Sequence, residues 1–459
     1  MEDTEDGTGQ PLCPINDLVD PFADFDAYEY LSMADDEDLE DLEAIRIIFS
    51  QNKRSRSIKF KHDRKDWDSH VRMLLATNEF ENRFRMSKDH FDILLEAIRE
   101  GITVDYLRSM NSTGGNDPIF PEIVMAMGLR FLGLGSTVPD LADLYGTSVD
   151  SARRVINMFF DAIDYNTECL ELQVRLPDPT DLDALHTLAQ RWVDVSGIFG
   201  LSNNTLGAID GWLPRTEMPG DVPNQTDYFS GHYQCYGLNV QAVCDPDLIF
   251  LYVAVAAPGK VNDIRAFHRC ASLLEWLEAL PEQYFILGDN AYPLSRRILV
   301  PFSGAAYYVE SNRTYNFYLS QLRIRIEMAF GRLTTKWRVV RNALNFGNAK
   351  NAKIVRVCTK LHNYCIQMEQ LEGRRRVGHF SGESVDPVRF GIDPLPVGAN
   401  RIDRSFGFMD TTTSRDDSVT SAPRVYSSLT ADSSLRDSLV ADVESRNLCR
   451  PMANRERNG

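Results

Sequence analysis

No Cys-x-x-Cys pair occurs anywhere in the 459 residues. The eight cysteines are scattered at positions 13, 169, 235, 244, 270, 358, 365 and 449. That excludes a zinc ribbon and a secreted disulfide framework, and leaves reduced, mostly buried thiols as the simplest account. Cys358, His362 and Cys365 lie close together in IVRVCTKLHNYCIQM, but on a predicted helix with no second ligand pair nearby, so core packing is the expected role. His232 and His268 have no partner spacing that suggests zinc, and are read as packing or substrate contacts. No run approaches the roughly 18 apolar residues of a membrane span, and the acidic N-terminus is no signal peptide. Basic residues are almost missing from the first fifty positions, where sixteen acids face the single Arg46. The formal net charge of -17 therefore belongs mainly to that tail, and the remainder is nearly neutral with local Arg and Lys clusters. Global acidity is no objection to a nucleic-acid enzyme, which needs local positive surface.

What is present is enough for a soluble intracellular protein with two folded domains and tails: 43% hydrophobic residues in a chain longer than one usual domain. Residues 1–52 read as an acidic disordered tail with interspersed aromatics such as Phe22, Phe25, Tyr28 and Tyr30. Residues 53–79 read as a basic linker whose block KRSRSIKFKHDRK (53–65) is either a nuclear-import or DNA-contacting segment or a solvated run. Residues 80–170 read as helical. Phe91, Leu94, Leu95 and Ile98 recur at helical spacing behind the N-cap candidate Ser87, NSTGGNDP (111–118) is a loop, and Pro121 opens the next helix. VPDLADLYGTSVDSARRVINMFFDAI then gives a helix, a turn at Gly146-Thr147-Ser148 and a second helix with apolar Val149, Ala152, Val155, Ile156 and Phe159. This is helix-turn-helix-like, with Arg153 and Arg154 on the exposed face; an ordinary bundle with two surface arginines fits equally. Residues 171–370 read as an α/β domain. YGLNVQAVCD and LIFLYVAVAA form a hairpin, followed by the helix RAFHRCASLLEWLEAL, the strand YFILGD, a helical LSRRIL, AAYYVE and two more helices. Residues 371–459 read as a disordered Ser/Thr/Asp/Arg-rich tail.

Three acids stand out. Asp210 ends the apolar run LGAIDG, Asp289 ends YFILGD, and Glu327 lies in LRIRIEMAFGRL. Carboxylates at strand ends, each beside a glycine, and on a helix are what a hard divalent cation with open positions for phosphate needs. Glu327 could instead pair with Arg323 at i,i+4. Yet Arg323, Arg325, Arg332, Lys336, Arg338 and Arg341 exceed what one carboxylate must balance, and a polyanion such as DNA accounts for the excess. A fourth acid, Asp263 in APGKVNDIRAFH, is either a metal ligand or, with Asn262, a candidate N-cap.

In order, TLGAIDGWLP, SGHYQCYGLNVQAVCD, APGKVNDIRAF, LGDNAYPLSRRILVPF, RIRIEMAFGRL and CTKLHNYCI resemble the blocks of PIF/Harbinger-type transposases, over about 206–368. The helical region 80–165 resembles that family's helix-turn-helix more weakly. The resemblance implies an RNase H-like mixed sheet flanked by helices, and a DDE catalytic core with Asp210, Asp289 and Glu327 as catalytic acids. It implies two Mg²⁺ (or Mn²⁺) ions, a DNA substrate, a nuclear location, a Myb-like DNA-binding partner and a homo-oligomer on DNA. Asp263 matches the acid of the family's PGxxHD block, but Asn262 stands where histidine is usual, and Tyr233 and Gln234 fall near a position often held by lysine. The expected function is metal-dependent DNA cleavage with or without strand joining; the alternative is a domesticated, non-cleaving DNA- or chromatin-binding protein.

Overall fold

The protein is described here by a computed structural model covering residues 62–105, 118–196, 201, 203–378, 431–446 and 448. The acidic tail, most of the basic block and all but the last residue of the loop 111–118 lie outside the described residues.

Before the sheet the described residues form α1 (Trp67–Ala76), α2 (Phe80–Phe84), α3 (Lys88–Ile102), α4 (Pro121–Leu134), α5 (Val138–Tyr145), α6 (Val149–Asp164) and α7 (Leu182–Ser196). Their ends follow local chemistry. Ser87, Thr137 and Ser148 accept from the backbone N–H of His90, Asp140 and Ser151, and Gly146 ends α5 at a φ of +63°. Helix α4 is buried along most of its length, and at Gly128 the Phe159 ring of α6 lies where a Cβ would stand. Helix α1 falls within the range read as linker: Val71 and Leu74 are buried and Trp67 stacks on Phe91, with ring centroids 5.6 Å apart.

The sheet has the order β5-β4-β1-β6-β7. Its strands are β1 (Thr205–Trp212), β4 (Leu238–Cys244), β5 (Phe250–Pro258), β6 (Phe285–Leu287) and β7 (Ile298–Leu299); a small hairpin, β2 (Phe229–Ser230) with β3 (Cys235–Tyr236), stands apart. Strand β4 is antiparallel to both neighbours, whereas β1, β6 and β7 run parallel, which is the RNase H-like arrangement. Ala208, Ala242, Cys244 and Leu287 pack on one side with α10 (Glu310–Lys336) and α11 (Asn348–Gly378). Leu206, Ile209, Val243 and Ile286 pack on the other with α7 and α9 (Ala271–Ala279). No described helix is long and apolar enough to cross a membrane.

Three local expectations change. RAFHRCASLLEWLEAL is two helices, α8 (Asp263–Phe267) and α9, broken at His268–Cys270. LSRRIL is not helical: Ser295 Oγ accepts from the N–H of Arg297 and Ile298, and the turn leads into β7. AAYYVE, to which the sequence assigned no element, runs from a 3-10 turn at Gly304–Tyr308 into α10. The range read as a tail holds the end of α11 and a further helix, α12 (Ser434–Ser445), which packs on α10 through buried Val443 and through Leu435, Leu439 and Val440.

Candidate active site

The pairing of β1 with β6 sets the site. Ala208 lies beside Leu287 in parallel register; two residues further along, Asp210 stands inside β1 on the Ala208 face, and Asp289 stands two residues past the end of β6. The Ala208 face is the one covered by α10, which brings Glu327 in from above. Asp289 Oδ1 accepts from the Ala291 N–H at 2.9 Å, and Asp210 Oδ1 from its own neighbour Gly211 at 2.8 Å.

Between Asp210 and Glu327 lies the guanidinium of Arg323, one α10 turn before Glu327. It donates to Asp210 Oδ2 at 3.2 Å and to Glu327 Oε1 at 2.5 Å, with side-chain exposures of 14%, 20% and 38% for Arg323, Asp210 and Glu327. The i,i+4 ion pair and the carboxylate site are therefore both present, one inside the other. Burial pushes the Asp210 carboxyl up to about 7 against the pull of Arg323, with the negative charges of Asp289 and Glu327 adding to the rise. Burial also raises Asp289, where Arg323 again opposes and Asp263 and Glu327 add. Among the described residues, no group of three or more His, Cys, Asp and Glu side chains is drawn tightly enough to hold a metal ion by itself. The carboxylates repel one another and Arg323 offsets that repulsion. The donor set nonetheless suits a hard divalent cation: every group is an oxygen, and folding has gathered more negative charge than one guanidinium neutralises.

Asp263 reaches the same neighbourhood from another side. Asn262 is the N-cap of α8, accepting from Arg265 N at 3.2 Å, which leaves the Asp263 carboxylate for other work. It lies over Gly211, where a Cβ would come within 2.7 Å of Asp263 Cγ. Its Oδ1 accepts from Asn239 Nδ2 at 2.9 Å and Gln241 Nε2 at 3.1 Å. These two amides, and Tyr292 behind them, carried no signal in the sequence beyond Tyr292 standing three residues after Asp289. Tyr233, at the tip of the β2–β3 hairpin, also overlooks the acids: burial and then Asp263, Asp210 and Asp289 raise its phenol.

Residues 209–363 match the DDE superfamily endonuclease family. That stretch is similar to a DDE endonuclease domain. The chain is 24% identical over 322 residues to the protein ALP1-like of Arabidopsis thaliana, covering 66% of this chain and 75% of that one. It is also 24% identical over 253 residues to HARBI1 of Mus musculus, whose name marks it as a candidate nuclease, covering 53% of this chain and 67% of the other. No solved structure matches.

Apart from Arg323, the basic residues expected to meet DNA do not share one surface with Asp210, Asp289 and Glu327. At about 100° per residue, Arg325, Arg332 and Lys336 stand on the opposite side of α10 from Glu327. Arg332 and Lys336 pair with Glu369 of α11, at 2.5 and 3.4 Å. Arg338 follows α10 on a 3-10 turn and is exposed. Arg153 and Arg154 are exposed on α6 and bond within it, to Asp150 Oδ1 and Ser151 Oγ. Cys358, His362 and Cys365 are buried in α11, where His362 Nε2 meets the Leu248 carbonyl at 2.8 Å.

Proposed function

We propose that the protein is a divalent-metal-dependent nuclease or transposase that cuts DNA phosphodiester bonds at Asp210, Asp289 and Glu327. One observation carries this reading: two part-buried carboxylates on neighbouring parallel strands, Asp210 inside β1 and Asp289 just past β6, with a third delivered to the same neighbourhood by a packed helix. Asp210, Asp289 and Glu327 would together hold two Mg²⁺ (or Mn²⁺) ions. Such ions, when bound, activate the attacking oxygen and stabilise the leaving one in an in-line displacement. Asp263 is the fourth acid of this set.

Arg323 balances the acids by two bonds that it must release for cations to be held there. The freed guanidinium then stands one helical turn from Glu327, placed to contact a phosphate. Arg338, Arg153 and Arg154 are the exposed cations proposed for the DNA backbone; Arg325, Arg332 and Lys336 are placed for it only if their present partners change. A nuclear location, a Myb-like DNA-binding partner and assembly on DNA belong to the same reading.

The test is nicking of labelled duplex DNA with Mg²⁺ or Mn²⁺. Asp210→Asn and Glu327→Gln each lower the rate by about a thousandfold or more, the equivalent of several kcal/mol of charge stabilisation. Cutting that survives both substitutions overturns the proposal. Duplex binding without cutting, even alongside a Myb-like partner protein, favours the non-cleaving reading.

A further inference from the structure

Behind Asp263 lies a chain of side-chain hydrogen bonds whose directions can be fixed by elimination. Tyr292 OH donates to Gln241 Oε1 at 2.6 Å, in the buried layer under β4. Gln241 Nε2 donates to Asn239 Oδ1 at 2.8 Å and to Asp263 Oδ1 at 3.1 Å, which uses both of its protons. Asn239 Nδ2 donates to the Val261 carbonyl at 3.0 Å and to Asp263 Oδ1 at 2.9 Å. If Gln241 were flipped, its oxygen would face both the Asp263 carboxylate and Asn239 Oδ1, an arrangement of acceptors alone. The carboxylate thus dictates the amide, and the phenol holds it.

Packing alone does not ask for this. Gln241 is fully buried and Tyr292 nearly so, and a buried amide is costly unless every polar atom is used. Here all are used, and the chain ends on one oxygen of one acid. Asp263 Oδ1 receives both amides while Oδ2 receives no hydrogen bond from a described residue. The charge of Asp263 is felt at Asp289.

We propose that Asn239, Gln241 and Tyr292 are positioning residues that lock one oxygen of Asp263 and so present the other as a ligand to a divalent cation shared with Asp289 and Asp210. This rests on the metal-dependent reading of the site given above. The residues act through Asp263, so their effects vanish where Asp263 is already disabled.

The experiment is titration of the full chain with Mn²⁺ alone, free Mn²⁺ being read by electron paramagnetic resonance, with melting curves to show that each variant is folded. Tyr292→Phe and Asn239→Ala each weaken Mn²⁺ binding by about fivefold to tenfold, the effect of one hydrogen bond to a charged group. Asp263→Asn weakens it at least as much, and adding Tyr292→Phe to Asp263→Asn produces no further loss. Two variants at opposite ends of the chain keep the test open should one fail to fold. Wild-type affinity in both, or an equal loss with and without Asp263, overturns the positioning role while Asp210→Ala still abolishes binding. Failure of the wild type to bind Mn²⁺, or an Asp210→Ala variant that binds as well as the wild type, overturns the reading of the site itself and this inference with it.

Discussion

Arg323 donates to Asp210 and Glu327 at once, and its charge is what allows several carboxylates to be folded into one partly buried neighbourhood. The compensation is incomplete at Asp210, which is raised from 3.8 to about 7 because burial outweighs the guanidinium. The folded chain therefore keeps a proton that the unfolded chain releases. Its stabilising contribution is present in full below about pH 4 and is lost as the pH rises through about 7. Asp245 acts in the same sense: burial raises it to about 6 although Arg191 opposes. In chelator, the thermal midpoint falls between pH 5 and pH 8, and Asp210→Asn makes the fall shallower by about 3 °C or more, as read by calorimetry across that range. A variant as pH-sensitive as the wild type would show that Asp210 is not the group responsible. At pH 8 the same variant is the more stable protein and the inactive one, as expected where a site is built from mutually repelling charges.

At the scale of elements, the close approach of α8 to the end of β1 depends on Gly211. A Cβ there would press on Asp263 Oδ1 and stand 3.1 Å from Gln241 Nε2. Gly211→Ala costs about 1–3 kcal/mol by denaturant unfolding and weakens cleavage as well, because two structural units must separate. Gly331, inside α10 with nothing within 4 Å of an added Cβ, shows the opposite: Gly331→Ala stabilises by about 0.5–1 kcal/mol. The strands leading to Asp210 and Asp289 were legible from their apolar runs, although β1 runs on to Trp212 and β6 stops at Leu287, and the helix carrying Glu327 was legible from its periodicity, since those signals lie within a dozen residues. Other features were set by distant partners. Lys336 and Arg332 looked like spare positive charge because Glu369 lies a helix away in sequence. Tyr292 meets Gln241 across 51 residues, with no local trace. Strand β7 has two residues, too few for alternation to show, so LSRRIL read as helix. The spacing of Leu435, Leu439, Val440 and Val443 was helical all along, but it was hidden in a stretch whose composition suggested a tail.

For the whole molecule, α12 closes over α10: Arg436 stacks 3.8 Å above the Phe302 ring and Asp432 pairs with Arg296. Truncation after residue 430 exposes the apolar surface beneath. Burial of one large aliphatic side chain is worth about 1.5–3 kcal/mol, so the thermal midpoint drops by about 5 °C or more; an unchanged midpoint would mean that α12 adds nothing. Helix α11 has the wider reach. Its Asn363 bonds to both backbone groups of Phe250 in β5, and its Tyr364 OH donates to the His90 carbonyl in α3 at 2.6 Å. Lys360 donates to the carbonyls of Ile163, Asp164 and Asn166 where α6 ends, and Lys353 and Arg356 pair with Asp161 and Asp164. One rod is thus pinned at once to the sheet and to α6. If α6 grips a duplex, the grip and the blade are parts of one tool with no hinge between them. The interval from the gripped base pairs to the cut is then a fixed length, and shifting the mark along the DNA moves the break by the same number of steps.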